Sequence, residues 1–348
     1  MTLRPRFERL GVALQPNDLP DRRECILNPA CARLRNSGLQ LYPRMVLPGN
    51  ISRIGSFRAY ERADGALLLD QLGIALEPEA PYERRDGPDG YGCEDPRVTF
   101  IEALDRYVMA YVALGPRGPE IALAISQDGL AWKRLGLLKF RERDAPFADK
   151  DAAFFPEPVR SPSGVRSFAL YHRPTLEVSV ERGALAWPAL ERLPLRERED
   201  IAIGYIPVAD VLRDEHNLCS VVETHRLKLP RASWGSIKVG AGTPPVRIRE
   251  GWLSVIHGVD PLVDASGTTL LRYCAGLIVL DAEDLSRVIY RSKEPLFVPE
   301  TKGERSGTVG DVVFPTGIDP QGEARLGRSF DIYYGMADDE IGRGRLTL

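Results

Sequence analysis

Short apolar runs recur along the whole chain, broken by glycine and proline rather than by long polar stretches. Many are rich in β-branched and aromatic residues with partial alternation, as in Trp252-Leu253-Ser254-Val255-Ile256-His257. A period of two puts successive side chains on opposite faces and predicts strands. The clearest candidates are 107–114, 120–126, 166–172, 201–207, 251–257, 272–280 and 330–335. Helical periodicity is scarce, and only 207–213 and 281–286 suggest a turn or two of helix. A strand–turn–strand theme appears twice, around Asp64-Gly65 and Asp128-Gly129. Asp-Gly favours tight hairpins because both residues tolerate positive φ.

Many short strands joined by turns predict an all-β fold. The weak repeat favours a β-propeller, whose radial sheets protect their edges. A pair of β-sandwiches is the structural competitor. No Pro- or Ser-rich linker divides the chain, so a single domain is expected over 36–348. Residues 1–35, rich in turn formers, are expected to be an irregular lead-in.

Composition narrows the classes of function. The 348 residues carry a net charge of −3, which gives no electrostatic case for nucleic acid or an anionic membrane. No apolar run approaches the ~20 residues of a membrane span. The basic start, Met1 to Arg6, lacks an apolar core behind it, so no signal peptide is expected. Cys25, Cys31, Cys93, Cys219 and Cys274 are odd in number and lack zinc-site spacing, which fits a reducing cytoplasm. With four dispersed histidines, no metal centre is expected. The sequence leaves self-association into a homo-oligomer open.

Several segments are too polar for their apolar surroundings. Gly92-Cys93-Glu94-Asp95-Pro96-Arg97 puts two carboxylates and an arginine around a proline at the mouth of a strand. Such loops on a β scaffold carry polar sites, the alternative being a solvated turn with a local ion pair. Asn36-Ser37-Gly38 and Asn50-Ile51-Ser52-Arg53 read equally well as turns. Asp149-Lys150-Asp151, Tyr171-His172-Arg173-Pro174 and Trp234-Gly235-Ser236-Ile237-Lys238 add cations at strand ends. His257 ends an apolar strand, where a satisfied core histidine is the simpler reading. Asp338 follows the last aromatic run and is readable as a strand-terminal turn. Gly240-Ala241-Gly242 lacks the Lys-Ser/Thr of a phosphate loop and the dinucleotide pattern. If the strands are propeller blades, Lys150, Arg173, Lys238, His257, Asp95 and Asp338 converge on one axial funnel. Mixed cations and carboxylates suit a neutral polyol together with an anionic co-substrate.

Taken in order, Gly-Cys-Glu-Asp-Pro-Arg, Lys-Asp-Ala-Ala-Phe-Phe-Pro, His-Arg-Pro, Trp-Gly-Ser-Ile-Lys-Val-Gly, Gly-Trp-Leu-Ser-Val-Ile-His-Gly-Val and Tyr-Tyr-Gly-Met-Ala-Asp resemble glycoside hydrolase family 130. The likeness runs from about Asn36 to Asp338, and nothing before or after can be placed. It implies a five-bladed β-propeller with an axial active-site funnel, acting on β-mannosides. It implies that Asp95 is the general acid, its proton reaching the leaving oxygen through a hydroxyl of the bound mannose. Asn36, Ser37, Arg53 and Asp338 match residues holding the mannosyl unit. Arg173, Lys238 and His257 match residues around phosphate. Lys150 stands where phosphorylase members carry arginine, and lysine cannot supply that planar bidentate fork.

An inverting hydrolase needs a second carboxylate to activate water. A phosphorylase instead needs cations to hold a nucleophile that is already competent. Arg173 and His257 therefore point to inverting phosphorolysis, yielding α-mannose 1-phosphate, with inorganic phosphate as co-substrate and no other cofactor. An inverting β-mannosidase is the runner-up. A non-catalytic carbohydrate-binding propeller is the alternative from another class, disfavoured because binding alone needs no acid such as Asp95.

Overall fold

The computed structural model describes residues 3–18, 24–35, 38–62, 65–87, 90–141, 148–175, 199–230, 232–263, 267, 269–322 and 327–348. Within these the protein is all-β, and α-helix is confined to Val208–Arg213 and Lys302–Arg305. The first helix lies where one was expected. The expected turn of helix at 281–286 is instead a non-helical turn, because Asp281 Oδ1 accepts from the amides of Glu283 and Asp284 and captures the backbone locally.

Twenty of the strands among the described residues fall into five four-stranded antiparallel units; Val159–Arg160 and Val246–Ile248 add short edges to the third and fourth, and Lys139–Phe140 pairs in parallel with Ser220–Val221 outside them. Cys25–Leu34, Gly38–Leu47, Ile51–Glu61 and Leu67–Leu76 form the first, and Tyr91–Ile101, Arg106–Gly115, Gly118–Ser126 and Lys133–Leu137 the second. A short parallel contact, Ile51 with Tyr91 and Ser52 with Gly92, joins these two into one larger sheet. The third contains Asp149–Phe154, Arg166–Pro174, Ala202–Pro207 and Glu223–Arg226. The fourth contains Lys238–Ala241, Gly251–Val263, Thr269–Leu280 and Val288–Arg291. The fifth contains Val313–Pro320, Ser329–Met336 and Glu340–Thr347, and its outer strand is Arg6–Leu14.

That pairing, from Arg6 opposite Thr347 to Leu14 opposite Ile341, corrects the expectation of an irregular lead-in. The partner strand lies at the other end of the chain, where no local pattern reveals it. Cys25–Leu34 also belongs to the sheets, as the first strand of the first unit.

Apolar faces of neighbouring units pack together. Tyr42 and Ile54 of the first meet Met109 and Tyr111 of the second. Val108 and Ile121 of the second meet Phe154 and Phe168 of the third. Phe155 and Tyr171 beside and within the third meet Trp252 and Ile256 of the fourth, and Val255 and Leu277 of the fourth meet Val313 and Ile332 of the fifth. A further cluster joins Tyr333 and Ile341 of the fifth back to Leu41 and Phe57 of the first. Each unit thus buries both faces only by packing against two others, which couples their stability.

Candidate active site

The first strands of the first three units share a local device. Each carries a β-bulge, between Leu27 and Ala30, between Glu94 and Arg97, and between Lys150 and Ala153. Inside each bulge sits an Asx residue with left-handed backbone: Asn28 at φ 45°, Asp95 at 45° and Asp151 at 60°. Asn and Asp tolerate this region better than other non-glycine residues, and bulges re-aim side chains out of the strand's alternation. Asn28 Nδ2 donates to Asp95 Oδ1 at 2.8 Å. Asn28 escapes sequence reasoning because it stands in an apolar strand before Pro29, where Asn-Pro reads as a turn.

Arg97 ties the site together. Its guanidinium donates to the Asp95 carbonyl at 3.0 Å, to the Gly242 carbonyl at 3.0 Å and to the Ala241 carbonyl at 3.1 Å. It also lies 3.6 Å from Asp151 Oδ1. Arg97 is buried, so these bonds satisfy a charge that has lost its water. The glycine-rich run beside it serves close packing. A Cβ on Gly240 would stand 2.2 Å from Asp151 Oδ2 and 2.3 Å from His257 Cε1.

Asp95 is flanked by Arg44, whose Nη1 lies 3.5 Å away and whose Nη2 pairs with Glu94 at 2.8 Å. Arg44 Nε also donates to Ser52 Oγ at 2.9 Å. Arg53, the sequence candidate, faces the other way and pairs with Glu77 at 3.0 Å. In the register Arg44 opposes Ile54 while Met45 opposes Arg53, so the two arginines occupy opposite sheet faces. Asn36 and Ser37 lie outside the described residues.

The two candidate carboxylates are shifted in opposite directions. Burial works to raise the Asp95 pKa, but Arg44, Arg97, the Asn28 amide and Lys150 outweigh it and hold it below the usual carboxylate range. Asp338, at φ 52°, is pushed up to about 6 by burial and by the charges of Asp95 and Glu94, against Arg44 and Lys150. The pair shares one field, so ionising one disfavours ionising the other.

Arg173, Asp151, Arg97 and His257 form an adjoining buried group. Arg173 Nε donates to Asp151 Oδ2 at 2.6 Å, and its Nη1 pairs with Glu199. His257 Nε2 lies 3.5 Å from Asp151 Oδ2, and neither ring nitrogen has a hydrogen-bond partner among the described residues. Burial, with Arg173, Arg97 and Lys238, lowers the His257 pKa to about 3. A neutral imidazole at pH 7 can donate from one nitrogen and accept at the other. Lys238 Nζ lies 5.4 Å from the centre of the Tyr273 ring. The site thus unites the sequence candidates Asp95, Lys150, Arg173, Lys238, His257 and Asp338 through contacts or electrostatics. It adds Asn28, Arg44, Arg97, Asp151 and Glu199. Among the described residues no group of three or more His, Cys, Asp or Glu could hold a metal ion.

A family model described as beta-1,4-mannooligosaccharide phosphorylase matches residues 4–182 and 217–348. The chain belongs to glycoside hydrolase family 130. The match begins just before the first strand and runs to the end, so the family pattern includes the ends that sequence reading left unplaced. The chain is 30% identical over 286 residues to the 1,2-beta-oligomannan phosphorylase of Thermoanaerobacter sp. (strain X514), covering 79% of this chain and 77% of that protein. It is 28% identical over 252 residues to the beta-1,4-mannooligosaccharide phosphorylase of Ruminococcus albus, covering 72% and 60%. Its fold is similar to that of beta-1,2-mannobiose phosphorylase from Listeria innocua, with TM-score 0.70, 22% identity and coverage of 98% and 96%. A structure reported with the family's glycoside hydrolases that target beta-1,2 mannosidic linkages in Candida mannan matches at TM-score 0.65 and 20% identity, covering 97% and 93%. The shared fold therefore does not choose between the two reactions; the side chains must.

Proposed function

We propose that this protein is an inverting β-mannoside phosphorylase that cleaves manno-oligosaccharides or mannosyl-glucose-type substrates with inorganic phosphate to give α-mannose 1-phosphate. The five sheet units are read as the blades of a five-bladed propeller forming one catalytic domain, with Arg6–Leu14 completing the last blade. The cycle of inter-unit cores supports that reading. The bulged first strands then lie around the axis and aim their Asx side chains into a funnel.

Asp95 is the general acid in this reading, with Asn28 and Arg97 fixing its orientation. Asn36, Ser37 and Asp338 hold the mannosyl unit, with Arg44 replacing Arg53 at the acid. Arg173, Lys238, Lys150 and neutral His257 receive phosphate. One oxygen of monohydrogen phosphate attacks the anomeric carbon as the bond to the leaving sugar breaks. The phosphate's hydrogen ends, in net, on the leaving hydroxyl. No second carboxylate is required as a base: Asp95, ionised at rest, takes a proton from solvent before each turnover and delivers it toward the leaving oxygen, and the phosphate ester formed returns its proton to solvent.

The observation that carries this reading is the pair of buried guanidiniums, Arg97 and Arg173, beside a neutral His257 imidazole whose two nitrogens have no hydrogen-bond partner among the described residues. Arg173→Ala should raise the KM for phosphate at least about tenfold, since an ionic hydrogen bond is worth on the order of 1.5–3 kcal/mol. The mannoside KM should move much less. Steady-state kinetics with phosphate varied at fixed mannoside test this; equal losses for both substrates would contradict it. One observation favours the second reading, an inverting β-mannosidase: Glu199 sits on Arg173, where a hydrolase could use a carboxylate.

A further inference from the structure

Arg173 is the central cation of the proposed phosphate site, yet both ends of its guanidinium face carboxylates. Asp151 takes Nε and Glu199 takes Nη1. All five members of this cluster are buried: Arg97, Asp151, Arg173, Glu199 and His257. With His257 neutral, two arginines balance two carboxylates. Lys238 and Lys150 still attract a phosphate dianion, but at Arg173 itself the dianion faces repulsion from two carboxylates at short range. One carboxylate must give way.

The two are held very differently. Asp151 lies in a bulge with left-handed backbone, bonded by Arg173, 3.6 Å from Arg97 Nη2 and 3.5 Å from His257 Nε2. Gly240 packs against it so closely that a methyl group would overlap its oxygen. The Glu199 side chain has a single ion pair among the described residues, the one to Arg173. Its backbone is anchored separately, through Val239 N donating to the Glu199 carbonyl at 3.2 Å. Its side chain can therefore leave Arg173 without unpairing the main chain.

We infer that Glu199 is the anion inorganic phosphate must displace from Arg173, and that it thereby sets the phosphate affinity of the enzyme. Glu199 holds the guanidinium in place while the site lacks phosphate, at the cost of weaker phosphate binding. This rests on the phosphorylase reading and makes Glu199 a specificity-determining residue outside the six family motifs. Glu199→Gln keeps the side chain's shape and removes its charge.

The test is calorimetric titration of inorganic phosphate into the full-length wild type and E199Q without sugar, combined with kinetics varying each substrate. E199Q should bind phosphate at least about tenfold more tightly, because one competing ionic contact is gone. Its KM for phosphate should fall in parallel, while its mannoside KM stays within about twofold. A merely structural role would not produce that split. Unchanged or weaker phosphate binding by E199Q, with normal phosphorolysis by wild type, overturns the inference and leaves the phosphorylase reading standing. Phosphate-independent release of mannose by wild type overturns that reading, and tighter phosphate binding by E199Q would then still support the competition at Arg173.

Discussion

Replacing Asp338 by asparagine should stabilise the protein at neutral pH while impairing it as an enzyme. The carboxyl sits in the field of Asp95 and Glu94, largely shielded from water, and its pKa is pushed up from 3.8 to about 6. Between those values the folded protein holds a proton that the unfolded chain has released, so this group makes stability fall as pH rises. The interval corresponds to at most about 3 kcal/mol, fully expressed above pH ~6. The substituted amide carries no charge, so D338N should match wild type near pH 4 and gain progressively, reaching roughly 2–3 kcal/mol by pH 7. His257 has the opposite slope, because its folded pKa of about 3 lies below the ordinary 6.5 and stability is lost as pH falls through that range. That contribution is common to both proteins and cancels in the difference. Urea unfolding at several pH values between 4 and 7 gives the comparison directly. A difference that is flat with pH, or a variant less stable than wild type at pH 7, would refute the electrostatic account of Asp338.

Further outcomes follow from the same geometry. Asp95→Asn should fold normally and lose on the order of 10²–10⁴-fold in kcat on an unactivated mannoside, the usual worth of a general acid; wild-type turnover by the variant would remove Asp95 from the mechanism. Lys150→Arg should preserve or lower the phosphate KM if this position holds phosphate, and a rise of several-fold argues against it. Gly240→Ala would put a methyl group 2.2 Å from Asp151 Oδ2. It should cost about 1–3 kcal/mol, as overpacking does, and weaken phosphate use; a variant with wild-type stability would show that Asp151 and His257 have room to shift.

Much of the fold was legible because strand alternation and turn chemistry are local. The runs around 107–114, 120–126 and 330–335 became Arg106–Gly115, Gly118–Ser126 and Ser329–Met336. Asp128-Gly129 does turn the chain between Gly118–Ser126 and Lys133–Leu137. Arg6–Leu14 was not legible, since the strand that pairs with it is Glu340–Thr347. The candidate site was legible where its chemistry is written in charged motifs, as at Glu94-Asp95-Pro96-Arg97. It was opaque where bulges decide direction, as at Asn28 and Asp151. Arg44 and Arg53 look alike in sequence, and only the register shows which one reaches Asp95. The balance of charge at Arg173 was also hidden, because Glu199 lies 26 residues away.

The central claim is that phosphate, not water, is the nucleophile. The most direct measurement is proton and phosphorus NMR of the first product formed from a β-mannobiose panel, with and without inorganic phosphate. The account predicts α-mannose 1-phosphate as the initial sugar product and negligible cleavage when phosphate is omitted. Free mannose released at the same rate in both conditions would contradict it.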